Sequence, residues 1–95
     1  MDNPKITLRV HALQRMFERA ISMDELRALV ERGKTIEDRP DDNPIPSRLV
    51  HLQIGPRHLH AVLADNPVDR EVFVITVYEP DPALWDSTRT RRRRP

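Results

Sequence analysis

Apolar positions along the chain recur first at helical and then at strand spacing. Over residues 6–20, Val10, Leu13, Met16, Phe17 and Ala20 fall three or four apart, which predicts an amphipathic helix that buries this stripe. Thr7 is placed to cap it, with residues 6–8 as a short extended lead-in. His11, Arg15 and Arg19 follow at intervals of four and share the opposite face. The second helix opens on Ser22-x-x-Glu25, a capping box, and Ile21 before it can staple to Leu26. Leu26, Leu29 and Val30 form its apolar stripe, and Gly33 is read as its left-handed stop.

After Gly33 the period changes to two. Residues 35–39 read as a short strand, and the proline-rich stretch 40–46 as a loop that neither helix nor central strand tolerates. Three longer strands follow, at 47–54, 57–64 and 71–79. Gly55-Pro56 joins the first two as a tight turn, because glycine takes the positive φ and proline fixes the next. That turn sets Gln53 opposite His58, Leu52 opposite Leu59 and His51 opposite His60.

The expected fold is therefore α+β: two N-terminal helices packed on one face of a three- to four-stranded antiparallel sheet. Alternation assigns Val50, Leu52, Ile54, Leu59, Ala61, Leu63, Phe73, Ile75 and Val77 to the helix-covered face. It assigns Leu49, His51, Gln53, His58, His60, Val62, Val72, Val74, Thr76 and Tyr78 to the other. Three of the four histidines, a phenol and a hydroxyl thus share one surface.

Charge divides the chain in two. The formal net charge is +1, yet residues 1–86 carry eleven basic and fifteen acidic side chains, and residues 87–95 carry five arginines and no acid. Residues 1–86 are expected to form one domain, and 87–95 an arginine-rich flexible tail, with Leu84 and Trp85 as anchors before it. Such a tail suits nucleic acid, an acidic partner or the domain's own acidic loops. With no cysteine, disulfides and cysteine-held zinc are excluded. No apolar run approaches the roughly 20 residues of a membrane span, and Met1-Asp2-Asn3-Pro4 lacks a signal-peptide pattern. A cytoplasmic protein without membrane attachment is expected.

A cross-strand His51/His60 pair can supply acid–base groups, and Tyr78 can donate or accept a hydrogen bond. Arg48 or Arg57 can hold a phosphate. Strand histidines are also common half-buried fillers whose nitrogens find backbone partners. His51, His58 and His60 form the outline of a chelate, but no carboxylate accompanies them, and neither metal nor cofactor is expected.

The stretch His11-Ala12-Leu13-Gln14-Arg15-Met16-Phe17-Glu18-Arg19-Ala20-Ile21 resembles the opening of the family named domain of unknown function 4258. The likeness continues through Gly33, the loop prolines, Arg57-His58-Leu59-His60 and Val74-Ile75-Thr76-Val77-Tyr78-Glu79-Pro80-Asp81-Pro82. This family is similar to the RelE and BrnT toxins, small metal-independent ribonucleases with barnase-like folds. The resemblance implies a toxin-like endoribonuclease of a type II toxin–antitoxin module that cleaves RNA by acid–base chemistry. It implies a cognate antitoxin of small DNA-binding or zinc-ribbon type. Its pattern falls on His11, His60 and Tyr78 as catalytic candidates and on Arg15, Arg19 and Thr76 as substrate-binding ones; His51, set opposite His60 by the strand register, is added to the substrate-binding candidates. A non-catalytic protein- or RNA-binding module is the alternative.

Overall fold

The computed structural model describes residues 4–43 and 45–94. Met1 to Asn3, read above against a signal peptide, Pro44 of the proline loop and Pro95 of the tail lie outside them. The elements run β1 (Lys5–Leu8), α1 (Val10–Arg19), α2 (Met23–Arg32), β2 (Lys34–Arg39), β3 (Ser47–Ile54), β4 (Arg57–Asn66) and β5 (Glu71–Tyr78).

The sheet has five strands in the order β1-β5-β4-β3-β2, and it is mixed. This corrects the expected three- to four-stranded antiparallel sheet. The lead-in to the first helix is itself an edge strand, parallel to β5, with Ile6 beside Val72 and Leu8 beside Val74. Thr7 is consequently not a helix cap: its hydroxyl donates to the Glu71 carboxylate across the β1–β5 pair. Arg9 takes the cap position with no side-chain bond, and its N–H donates to the Val74 carbonyl at 3.1 Å. A parallel pair needs a long crossover, which the two helices and three other strands supply.

The Gly55-Pro56 turn has Gly55 at φ +59°, and the register of β3 on β4 is the expected one, His51 opposite His60 included. The capping box also forms, with Ser22 Oγ accepting from the Glu25 N–H at 3.0 Å and Glu25 accepting from the Ser22 N–H at 2.9 Å. The left-handed stop lies elsewhere than expected. Ala20 ends α1 at φ 51°, whereas Gly33 is extended at φ −61°. Gly33 is needed for space, since a Cβ there would stand 2.2 Å from the Leu29 carbonyl oxygen.

Two departures reshape the surfaces. First, α1 buries Ala12 and Met16, while Val10 and Phe17 remain 74% and 82% exposed. Of the expected stripe Val10, Leu13, Met16, Phe17 and Ala20, only Met16 is therefore in the core. Second, β5 carries a bulge where Val62 pairs with Thr76 but Leu63 pairs with Val74, leaving Ile75 as the extra residue. A bulge reverses the sidedness of everything beyond it. Val72 and Val74 accordingly join Val77 in the helix-side core with Val50, Leu59, Ala61 and Leu63. Ile75, expected there, packs instead in a second cluster with Leu49, Val62 and Trp85. Phe73 is also absent from the helix-side core and lies under the Arg9 guanidinium, 5.8 Å from its ring centre.

The second cluster exists because the arginine-rich end folds back over the histidine face. Trp85 is 3% exposed and bridges to Arg92. Asp86 N–H donates to the Arg91 carbonyl at 2.9 Å, and Arg93 N–H to the Leu84 carbonyl at 2.8 Å. The sheet is thus covered on both sides, by the helices on one and by this C-terminal loop on the other. Among the described residues no helix is long and apolar enough to cross a membrane.

Candidate functional site

β4 and β5 place His60 beside Tyr78 in the second cluster. His60 is fully buried. Its Nδ1 lies 3.3 Å from the Tyr78 hydroxyl, and its Nε2 lies 2.6 Å from the Arg89 carbonyl oxygen. The Trp85 ring meets it edge-on, with centres 4.6 Å apart. Burial pushes the imidazole down to about 4, against the opposing pull of the Arg89 carbonyl, with small further contributions from His51, Glu37 and His58. His60 is therefore neutral at physiological pH.

His51 and His58 continue this line of rings. They stack with centres 5.2 Å apart, and His51 Nε2 is 2.9 Å from His58 Nδ1. Burial, then the charge of His58, holds His51 below the usual imidazole range. Because the facing nitrogens are bonded to one another, the three histidines do not converge on a common point. Among the described residues, no group of three histidine, aspartate or glutamate side chains is arranged to hold a metal ion.

The accessible chemistry lies beside this cluster. A groove of about 330 Å³ runs between the last turns of α1, the end of β5 and the C-terminal loop. It is lined by Arg15, Arg19, Thr76, Tyr78, Glu79, Asp81, Leu84, Trp85 and Arg92. α1 packs along β5, so the arginine flank of the helix reaches the same edge that Thr76 and Tyr78 face. Burial raises the Tyr78 phenol above its ordinary value, so it keeps its proton at neutral pH. Arg92 lies 4.7 Å over the Trp85 ring and pairs with Glu37 at 3.0 Å. That bond holds the Glu37 carboxyl below the usual carboxylate range. Arg15 has only an exposed pair with Glu18 at 3.4 Å, and Arg19 makes no side-chain ion pair among the described residues.

Of the seven residues singled out from the sequence, the groove gathers Arg15, Arg19, Thr76 and Tyr78. His60 is behind its wall, His51 lies farther along β3, and His11 is exposed one turn upstream on α1. Arg92, Trp85, Glu79 and Asp81 join the groove without having been expected there. Glu79 and Asp81 stood in the Tyr78-Glu79-Pro80-Asp81 stretch, but nothing in the arginine run distinguished Arg92. The two other arginines considered for phosphate have structural partners. Arg48 pairs with Asp65 at 2.8 Å, and Arg57 pairs with Glu25 at 3.0 Å.

A family profile described as Domain of unknown function (DUF4258) matches residues 8–79. The chain belongs to this family. No curated protein and no solved structure matches it. The matched stretch of this DUF4258 domain contains every α1 and β5 groove residue through Glu79 and ends before Trp85 and Arg92.

Proposed function

We propose that the groove holds the sugar–phosphate backbone of RNA, and that the protein is a toxin-like, metal-independent endoribonuclease restrained by a cognate antitoxin. One observation carries the reading: Arg15, Arg19 and Arg92 line a single groove together with Thr76 and Tyr78. Guanidinium groups suit phosphate oxygens and the charge that grows on them during cleavage. The kinship with RelE and BrnT toxins that the DUF4258 resemblance implies is in keeping with this reading. In such a reaction the ribose 2′-oxygen bonds to phosphorus, the bond to the 5′-oxygen breaks, and a cyclic phosphate and a 5′-hydroxyl result. The proton lost by the 2′-hydroxyl and the one gained by the 5′-oxygen pass through groups lining the groove, for which the Glu79 and Asp81 carboxylates are available. A buried neutral His60 supports the wall and does not meet substrate.

Induced expression is expected to halt growth, and the purified chain to cut RNA in the presence of a chelator. The Arg15→Ala, Arg19→Ala double variant should lose about 100-fold or more in cleavage rate with unchanged circular dichroism. Unchanged growth together with intact RNA at high expression would sink the proposal.

A second reading, a non-catalytic binding module, is favoured by the bare apolar face of α1. Leu13, Met16, Phe17, Ala20, Ile21 and Met23 line an open groove of about 300 Å³ there. Phe17→Ser is expected to change stability by no more than about 0.5 kcal/mol, whereas Met16→Ala should cost about 2–4 kcal/mol. Urea titration separates the two. Equal costs would show that Phe17 belongs to the core.

A further inference from the structure

We infer that Tyr78 reads a hydroxyl donor on the ligand and thereby selects ribose over deoxyribose in the groove. This rests on the groove being a nucleic-acid site, and it follows from the direction of the bonds behind the phenol. A carbonyl oxygen only accepts, so the 2.6 Å contact with Arg89 requires the proton of His60 to sit on Nε2. His60 is fully buried among His51, Tyr78 and Trp85, and a neutral imidazole has one N–H. Nδ1 is therefore a bare lone pair, and across 3.3 Å the Tyr78 hydroxyl donates to it.

A phenol has one proton, and that one is committed. Tyr78 lines the groove, and the capacity left on its oxygen for a ligand is that of an acceptor. It cannot donate to a phosphate oxygen while this bond stands; Arg15, Arg19 and Thr76 can. An acceptor set beside phosphate-binding arginines fits a sugar hydroxyl adjoining a phosphodiester. RNA carries that hydroxyl at the 2′ position and DNA does not. Arg89 fixes the arrangement from behind, since its left-handed backbone, φ 58°, belongs to the turn that aims its carbonyl at His60.

The test uses three short single strands of one sequence, oligouridylate, its 2′-fluoro form and oligodeoxyuridylate, binding to the full chain over times that leave the ribose strand intact. The 2′-fluoro strand keeps an RNA-like sugar but has no hydroxyl to donate. Wild type should bind the ribose strand about tenfold more tightly than either other strand, the worth of one hydrogen bond. Tyr78→Phe should bring the ribose strand down to the other two and leave those unchanged, while Arg15→Ala should weaken all three alike. Equal wild-type binding of the ribose and 2′-fluoro strands overturns the inference without any variant, as does a preference that survives in Tyr78→Phe. Binding of none of the strands overturns the nucleic-acid reading of the groove and the inference with it.

Discussion

Trp85→Ala is expected to lower the unfolding free energy by about 3–5 kcal/mol at neutral pH, the range for deleting a buried large aromatic side chain. The indole is 3% exposed and is shared by the second cluster, His60 and the Arg92 guanidinium. Its loss opens a void over Leu49 and Val62 and lets water reach His60. The cost should then depend on pH, with a sign that linkage sets. In the folded protein His60 is lowered from 6.5 to about 4, so between those values the unfolded chain binds more protons than the folded one. The stability this represents is complete above 6.5 and falls as pH drops toward 4, by about 3 kcal/mol in all. A hydrated imidazole in Trp85→Ala titrates nearer 6.5 and loses less on acidification. Urea titrations should therefore show a smaller cost of the substitution at about pH 5 than at about pH 7.5, by roughly 1 kcal/mol. Equal costs at the two values would mean that Trp85 does not keep His60 dry.

The same region shows where local pattern carries fold information and where it fails. Gly55-Pro56 determines the β3–β4 register because one glycine φ and one proline ring leave the turn little freedom, and His51 meets His60 as expected. Ser22 and Glu25 likewise announce α2, since both partners of the capping box lie within four residues. The bulge in β5 has no such marker. Over Val72-Phe73-Val74-Ile75 every side chain is apolar, so a reversal of sidedness leaves no polar residue misplaced and alternation cannot register it. On α1 two apolar stripes compete, and the core takes the smaller pair, Ala12 and Met16, leaving Val10 and Phe17 outside. Small side chains allow a helix to approach the sheet closely, but alanine carries little weight in a hydrophobicity pattern.

Long-range pairing explains what remained hidden of the candidate site. Lys5–Leu8 has the length of a helix lead-in, and only the free edge of β5 makes it a strand. That pairing anchors the start of α1 against β5 and so brings Arg15 and Arg19 to Thr76 and Tyr78, a convergence that no sequence interval encodes. Arg92 reaches the groove through contacts with Glu37 and Trp85, residues 55 and seven positions away. A run of arginines reads locally as a solvated end, so the partners that fold it back are visible only in three dimensions.

Arg57→Ala is expected to cost about 3 kcal/mol, the scale of removing one member of a largely buried charge pair. Its guanidinium joins four groups from three parts of the chain. It donates to the Arg19 carbonyl, to the Ala20 carbonyl at 3.1 Å, to the Glu25 carboxylate at 3.0 and 3.1 Å, and to Glu79 at 3.4 Å. The two carbonyls belong to the end of α1, where the left-handed Ala20 leaves oxygens without helical partners and the helix dipole is negative. Arg57 thus closes α1, ties it to the first turn of α2 and pins both to the end of β5. Lysine should not rescue the loss, because a compact ammonium cannot span carbonyls and carboxylates in this planar arrangement. Acid titration gives a second reading of the same contact. The Ser22 N–H first, and then Arg57, hold the Glu25 carboxyl below its ordinary 4.5 against the opposing effect of burial. A lowered carboxylate contributes stability above 4.5 and loses it as pH falls through the folded value. Arg57→Ala removes one cause and leaves the capping bond, so its stability should fall less steeply below 4.5 than that of wild type. A cost within about 0.5 kcal/mol, or one fully restored by Arg57→Lys, would show that the closure of α1 does not depend on this guanidinium.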